Sequence, residues 1–378
     1  MQITFDDFIH TGPDTLAGRY LRTFWSPVYR SQDLAPGDVI PVKIMCEKFS
    51  LYRGWEGVAH MMAPTCPHRG APLYVGSVEG DSLRCMYHGW KYDGTGQCVE
   101  QPREDPALCS KVKVRSYPTH EYLGLIFAYL GEGSPPPFRH FADLEKPGVL
   151  EPCIPEYWPC NYFNRLDNAC DLSHVTFTHR EAISRAGRSD RLGAGEVKVE
   201  ENDYGIRCVC DNPPQTTRFH MPNINLVKAN VRVEGSMQDA ATIAVDRLSW
   251  RVPVDEGNTV SFSIDLMHVE GEEAVRYQER RKKTEELGKT ISPTAMGEAI
   301  LAGKIKEKDL DKGLSTATLF SVEDYLMQVG QGAVDRSKDR LGRNDIGVIL
   351  LRKIWERELL AFAEGRPLKE WKTAPTEP

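Results

Sequence analysis

Apolar and polar positions follow different periods along this chain. From about residue 20 to 130, short apolar runs alternate with turn residues. "DVIPVKIM" and "KFSLYRG" read as strands, and "KYDGTGQCV" carries an Asp-Gly hairpin signal. "YLGLIFAYL", from Tyr122 to Leu130, reads as one buried strand. The run "GEGSPPPF", from Gly131 to Phe138, can continue neither a strand nor a helix, and it marks a domain boundary. A helix is predicted from Arg165 to about Arg180. From about Gly195 to Val269 the pattern returns to a period of two. Val227, Ala229, Val231 and Val233 alternate with Lys228, Asn230, Arg232 and Glu234, and Val260, Phe262, Ile264 and Leu266 alternate likewise. That is the signature of a sheet with one covered face. Glu270 to about Lys289 and Ser321 to Gly365 are predicted to be helical. No internal repeat interrupts the series. The pattern predicts a small all-β domain over residues 1–135 and a larger α+β domain over 136–378.

Composition narrows the function classes. The 378 residues are enough for two domains with their own cores. A net charge of −7 argues against nucleic acid as the main partner, since phosphate binding needs a basic face. No apolar run approaches the ~18–20 residues of a membrane span, so no membrane partner is expected. The start, "MQITFDDF", is acidic and lacks a signal-peptide core, which makes the cytoplasm the expected compartment. In a reducing compartment the ten cysteines are expected as thiols or metal ligands. Cys208 and Cys210 fall on one strand face and read as buried small residues.

Two stretches carry mixed metal-ligand chemistry. "CPHRGAPL" begins at Cys66 and "CMYHGW" at Cys85. Together they give Cys66-x-His68 and Cys85-x-x-His88. Zinc is the first rival, but zinc-finger spacing usually pairs cysteine with cysteine and histidine with histidine. A two-iron, two-sulfur Rieske centre needs one thiolate pair and one imidazole pair, and two loops can each supply one of each. Gly70 and Gly89 allow close backbone approach, and Pro67 and Pro72 stiffen the first loop. These stretches closely resemble the Rieske signature of the Rieske non-haem iron oxygenases.

A second constellation lies in "NRLDNACDLSHVTFTH", from Asn164 to His179. Two histidines near a carboxylate suggest the two-His-one-carboxylate set of non-haem iron(II). On an ideal helix His174 and His179 would lie ~140° apart, so the helix either bulges or ends before His179. Asp171 precedes His174 by one turn and would share its face. The pattern D-x-x-H-x-x-x-x-H resembles the catalytic motif of the same oxygenases. The resemblance implies His174 and His179 as iron ligands. It implies Asp171 as a bridging carboxylate that links His174 to a Rieske histidine of a neighbouring subunit, and it puts Asn168 near the site. For the third ligand the candidates are Glu323, Asp324, Asp335, Asp339 and Asp345. "SVEDYLMQVGQGAVDRSKDRLG" resembles the C-terminal helix of the phthalate-dioxygenase-like subgroup, in which the ligand aspartate opens the helix, and this points to Asp324. Asp335 and Asp339 read as a solvated charged face.

The resemblance covers nearly the whole chain. It implies an α+β fold, in which an N-terminal all-β Rieske [2Fe-2S] domain precedes a helix-grip catalytic domain, a curved antiparallel sheet with a long C-terminal helix. It implies mononuclear Fe(II), O2 as co-substrate, and an NAD(P)H-dependent reductase acting directly or through a ferredoxin. It implies a homo-oligomer, a trimer or a multiple of three, that hydroxylates or oxidatively demethylates a small aromatic, anionic molecule. The alternative is a Rieske electron carrier with a non-catalytic second domain. Arg207, Arg218, Lys228, Arg232, Arg247 and Arg251 stud the region expected to wall the pocket, where Asn223 and Asn225 are further candidates. Most of those cations read as solvent-facing strand residues.

Overall fold

A computed structural model describes residues 2–187, 195–211, 214–232, 242–288, 292–311, 313–332 and 336–375. Val233, Glu234 and Asp335 lie outside the described residues. The chain forms two units. The smaller comprises His10–Phe138 and Val252–Glu256; the larger comprises Met1–Ile9, Arg139–Arg251 and Gly257–Pro378. The sequence reading assigns the N-terminal segment to the first domain, whereas in the structure it groups with the second. The reason is aromatic packing. Helix α1 (Asp6–Ile9) brings Phe8 to stack on Phe163 at 5.1 Å, with Phe5 edge-on at 5.4 Å and Trp355 beside them.

The smaller unit holds helix α2 (Leu16–Leu21) and three sheets. One sheet joins β1 (Trp25–Arg30) to a later hairpin. A second contains β2 (Val39–Ile44), β3 (Glu47–Arg53) and β4 (Ala59–Met62). A third is the meander β5 (Ser77–Glu79), β6 (Ser82–Arg84), β7 (Lys91–Tyr92) and β8 (Cys98–Glu100). After α3 (Pro106–Cys109), β9 (Ser116–Tyr117) pairs with β4, and β10 (Thr119–Tyr122) and β11 (Leu125–Tyr129) complete the first sheet. The stretch read as one strand, Tyr122–Leu130, is therefore the tip of a hairpin followed by its second strand. Leu123 and Gly124 both take positive φ, and Tyr122 pairs with Leu125 across a two-residue turn. The Asp-Gly signal does close a hairpin, since Asp93 Oδ1 accepts from Thr95 N–H and Gln97 N–H between β7 and β8.

The larger unit is built on one antiparallel sheet. Its strands are β12 (Val149–Pro152), β13 (Glu156–Trp158), β14 (Val197–Glu201), β15 (Gly205–Asp211), β16 (Pro214–His220), β17 (Ile224–Arg232), β18 (Thr242–Asp255) and β19 (Asn258–Met267). The spatial order is β12-β19-β18-β17-β16-β15-β14, with β13 also on β19. Helices α4 (Tyr162–Ala169), α5 (Ser173–Thr178) and α6 (Arg180–Arg185) precede most of the sheet. Helices α7 (Gly271–Gly288), α8 (Pro293–Leu301), α9 (Thr316–Gly330) and α10 (Ile346–Ala363) follow it. No helix among the described residues is long and apolar enough to cross a membrane.

The helix predicted from Arg165 to Arg180 is instead three short ones. α4 starts at Asn161, whose side chain accepts from Phe163 N–H, and stops at Cys170. Asp171 then caps a new helix, its Oδ1 accepting from Ser173 N–H at 2.8 Å and His174 N–H at 3.3 Å. A side-chain acceptor offered to fresh N–H groups competes with the continuing ladder. α5 ends where His179 turns to ψ 24°. Of the two alternatives for His179, the structure selects the helix end.

α4 and α10 approach through backbone. A Cβ built on Gly347, in the first turn of α10, would stand 2.0 Å from the Cys170 carbonyl oxygen. Alanine normally favours a helix over glycine by up to ~1 kcal/mol. Here Gly347→Ala should instead destabilise the protein by about 1–3 kcal/mol, the usual cost of overpacking. Denaturant unfolding followed by circular dichroism measures this; a stabilised variant would contradict the packing.

Candidate cluster loops and metal centre

The two cysteine loops of the smaller unit have the same hydrogen-bond pattern. Cys66 N–H donates to Ala71 C=O and Gly70 N–H to Cys66 C=O; Cys85 N–H donates to Trp90 C=O and Gly89 N–H to Cys85 C=O. Each loop closes through a glycine four residues after its cysteine, at φ +69° for Gly70 and +74° for Gly89, a region that penalises any Cβ. Both cysteines are buried, and they lie in a core with Tyr52, Leu73, Leu83 and Tyr92. The His68 and His88 rings meet at 4.5 Å, and His68 stacks on Trp90 at 4.3 Å. His88 is exposed. The thiol side thus faces the core, and the imidazole side reaches the surface.

The donor set fits an iron-sulfur cluster. His68 Nδ1 is buried without a hydrogen-bond partner, as a metal-binding nitrogen would be before its ion is added. Neither cysteine is in a disulfide. Burial pushes the Cys66 thiol up, while the Tyr92 hydroxyl, 3.0 Å from Cys66 Sγ, opposes this. The four side chains are not among the groups that close on one point, as a single zinc would require.

In the larger unit, His174, His179 and Asp324 converge, with ligand atoms all within 4.8 Å of one another. The hydrogen bonds set both histidine tautomers. His179 Nδ1 lies 3.0 Å from Glu323 Oε2, and a carboxylate can only accept, so Nδ1 carries the proton. That leaves the Nε2 lone pair facing Asp324 Oδ1 at 3.5 Å. His174 Nδ1 contacts the Asp171 carbonyl oxygen, so its Nε2 likewise faces Asp324 Oδ1, at 3.8 Å. Burial pushes the His174 imidazole below the ordinary histidine range, against the opposing charges of Asp324 and Asp171. The neutral form binds a metal. Two nitrogen lone pairs and one carboxylate on one point fit iron(II) with open positions.

Other candidates fall elsewhere. Asp324 lies inside α9, because Ser315 caps that helix nine residues earlier; it does not open the helix as expected. Asn168 does reach the site, its Nδ2 3.5 Å from both His174 Nε2 and Asp324 Oδ1. Asp171 meets His174 mainly through its carbonyl; its Oδ2 stands 4.0 Å from His174 Nδ1. Asp339 pairs with Arg352 at 2.8 Å, and Asp345 accepts from Gly342 N–H at 2.6 Å, so neither completes the group. Glu323 sits behind His179, where its Oε1 also accepts from Ala182 N–H at 3.0 Å. Sequence reasoning weighed Glu323 only as a ligand and missed this orienting role. It also missed Gln328, which donates to Asp324 Oδ1 at 3.0 Å and whose only sequence signal is its place one turn after Asp324.

The strand register sorts the expected pocket cations. Arg207 pairs with Glu200, and Arg218 and Lys228 pair with Asp143 on one face of the sheet. Arg247 and Arg251 lie on the other. Nothing is described for the Arg232 side chain. Arg165 of α4 covers the face of Arg247 and Arg251, donating to Ser261 Oγ at 2.6 Å, and Cys208 Sγ of β15 reaches the Cys170 carbonyl at 3.7 Å. α4 also carries Asn168. The metal group and this sheet face therefore adjoin. Cys208 and Cys210 are both buried, as expected.

Comparison with known proteins agrees with this chemistry. Residues 24–118 match the Rieske [2Fe-2S] domain, and residues 158–281 match the vanillate O-demethylase oxygenase C-terminal domain. The chain is 34% identical over 380 residues to phenoxybenzoate dioxygenase subunit alpha of Ectopseudomonas oleovorans, covering 93% of this chain and 83% of the relative. It is 26% identical over 371 residues to the 5,5'-dehydrodivanillate O-demethylase oxygenase subunit of Sphingobium sp. SYK-6, covering 96% and 81%. The terminal oxygenase of carbazole 1,9a-dioxygenase from Novosphingobium sp. KA1 shares the fold, with a TM-score of 0.65, 20% identity and 96% of each chain covered. With its α+β architecture, its [2Fe-2S] domain and its iron-dependent oxygenase domain, the chain belongs to the Rieske non-haem iron oxygenases, as a terminal oxygenase alpha subunit.

Proposed function

We propose that this oxygenase hydroxylates, or oxidatively O-demethylates, a small aromatic acid. The observation that carries this reading is the convergence of His174, His179 and Asp324 in a chain that also holds the paired cysteine loops. In this reading Cys66, His68, Cys85 and His88 hold the Rieske cluster, the thiolates on one iron and the imidazoles on the other. His174, His179 and Asp324 hold mononuclear iron(II). When bound, that iron supplies dioxygen activation for insertion of one oxygen atom into a C–H bond. Glu323 keeps the Nε2 lone pair of His179 directed at the metal position, and Asn168 and Gln328 steady the Asp324 carboxylate. A rival electron carrier would have no use for such a group.

The electrons come from NAD(P)H through a reductase, directly or through a ferredoxin. For a methoxylated substrate, R–O–CH3, O2, two electrons and two protons give R–O–CH2OH and water, and the hemiacetal releases formaldehyde and the phenol. Ring hydroxylation uses the same oxidant, so substrate placement chooses between them. The names of the two relatives, a phenoxybenzoate dioxygenase and a dehydrodivanillate O-demethylase, support an aromatic acid. Ten free cysteines suit a cytoplasmic location. The test is NADH and O2 consumption with a compatible reductase across methoxylated and plain benzoates, with formaldehyde assayed. Uptake no greater than without arene would defeat the proposal.

The ligand assignments give separable outcomes. Cys85→Ser should bleach the visible absorption and remove the reduced-state electron paramagnetic resonance signal; an unchanged spectrum excludes Cys85. Asp324→Ala should lower iron from about three to about two per chain while the Rieske spectrum survives. Retention of the third iron with turnover would point to Glu323 instead.

We assign Asp171 the contact between subunits of a homo-oligomer, a trimer or a multiple of three. Its Oδ1 is engaged in capping α5, which leaves Oδ2 to accept from a Rieske histidine of a neighbouring subunit. Asp171→Asn retains the capping oxygen, so both metal sites should stay occupied while reoxidation of the reduced cluster slows at least about tenfold. Stopped-flow absorbance and light scattering measure the two parts. A monomer with full activity, or reoxidation at the wild-type rate, rules the role out.

A further inference from the structure

Directly opposed residues in an antiparallel sheet share a face. β17 and β18 pair Asn225 with Ser249 and Val227 with Arg247. β18 continues across to β19 through a Ser249–Ser263 hydroxyl contact of 2.8 Å and the Arg247–Asp265 pair. One face therefore collects Asn225, Arg247, Ser249, Arg251, Ser261, Ser263 and Asp265; α4 lies over part of it, and Arg247 stays exposed. This face is polar, and that is costly for a surface covered by helices unless each group finds a partner.

Its cations are partnered to different degrees. Arg247 makes a two-pronged contact with Asp265, both bonds at 2.6 Å. Arg165 donates to Ser261, lies 3.6 Å above the Trp158 ring and stands 3.6 Å from Glu156. Arg251 is held only by backbone: its N–H donates to the Asn223 carbonyl at 3.0 Å, and Asn223 Nδ2 donates to its carbonyl at 2.8 Å. Its guanidinium Nε and Nη1 are buried and have no hydrogen-bond partner. Burial, and next the Arg165 charge, push the group down to about 9, while Glu156 and Asp324 pull the other way. Close by on the same face, the buried Asn225 Oδ1 also lacks a partner. A guanidinium with two buried, idle nitrogens is a poor structural element. It is a good receptor for a planar anion, because the fork matches a carboxylate.

We propose that Arg251 anchors the carboxylate of the aromatic acid, directing the rest of the molecule toward the His174–His179–Asp324 group. This deepens the functional reading above and rests on it. Arg251 acts here as a specificity determinant; it takes no part in the oxygen chemistry. The idle Asn225 oxygen accepts a ring hydroxyl or a second donor of the same ligand.

The test is equilibrium binding to the oxidised, iron-loaded enzyme without reductant, so that no turnover occurs. The probes are benzoate and its neutral isostere benzamide, followed by calorimetry. Wild type should favour benzoate by at least about tenfold. Arg251→Gln should weaken benzoate by about tenfold or more and leave benzamide within about twofold, which a merely structural role would not produce. It should also melt no earlier than wild type in the absence of ligand, since it removes two buried guanidinium nitrogens that have no partner, and benzoate should no longer raise its melting temperature. Arg251→Lys keeps the charge and loses the fork, so benzoate should weaken about three- to tenfold. Equal affinity of wild type for the two probes, or an undiminished benzoate preference in either variant, overturns the assignment. The outcome is independent of the turnover assay: a neutral arene that drives NADH and O2 uptake would leave the oxygenase reading intact while the Arg251 assignment falls on the probe ratio.

Discussion

The larger unit turns on one buried contact, between Glu323 of α9 and the segment that joins α5 to α6. Glu323 is 2% exposed, and its two oxygens take His179 Nδ1 and Ala182 N–H. A buried carboxylate without such partners would be very costly. The contact therefore fixes the register of α9 against α6, and with it the position of the next residue, Asp324. Two adjacent acids on one helix act on the same imidazole from different sides. One sets its tautomer, and the other presents an oxygen beside its free lone pair. The break between α5 and α6 supplies the remaining geometry. Had α5 continued unbroken through His179, His174 and His179 would point apart by the ordinary helical angle.

The smaller unit solves its problem by repetition. Two loops with the same pair of backbone hydrogen bonds and the same positive-φ glycine each offer one thiol inward and one imidazole outward. The histidine stands two residues after the cysteine in one loop and three in the other, and both rings still meet at one edge. The buried cysteines belong to the unit's core, so loop geometry and fold stability are coupled.

Charge on the large sheet is distributed by strand parity. Arg218 and Lys228 meet Asp143 on one face, whereas Arg247 and Arg251 lie on the other, where Arg165 of α4 contacts Ser261 and Arg247 stays exposed. On that second face Arg247 is paired with Asp265, whereas two guanidinium nitrogens of Arg251 are unpaired. Such asymmetry suits a ligand that carries a negative charge at one end.

The chain's local pattern determined a good deal. The mixed Cys-His spacing, the alternating strands between residues 195 and 269, the Asp-Gly hairpin and the D-x-x-H-x-x-x-x-H run are all short-range features. Their chemistry is set by residue type and spacing, and the two-part α+β architecture follows from them. Other features depended on contacts between distant segments. Whether Tyr122–Leu130 was one strand or a hairpin with its return strand was decided by two residues taking positive φ. Whether Asp324 opened its helix was decided by Ser315, upstream of the stretch that carried the resemblance. The role of Glu323 needed a histidine 144 positions away to be seated against it. Which cations line the covered face required the strand register, because a shift of one residue exchanges the two faces. And that two guanidinium nitrogens of Arg251 have no partner is a property of everything folded around them: a side chain's neighbours across a sheet are set by tertiary packing and cannot be read from its own place in the chain.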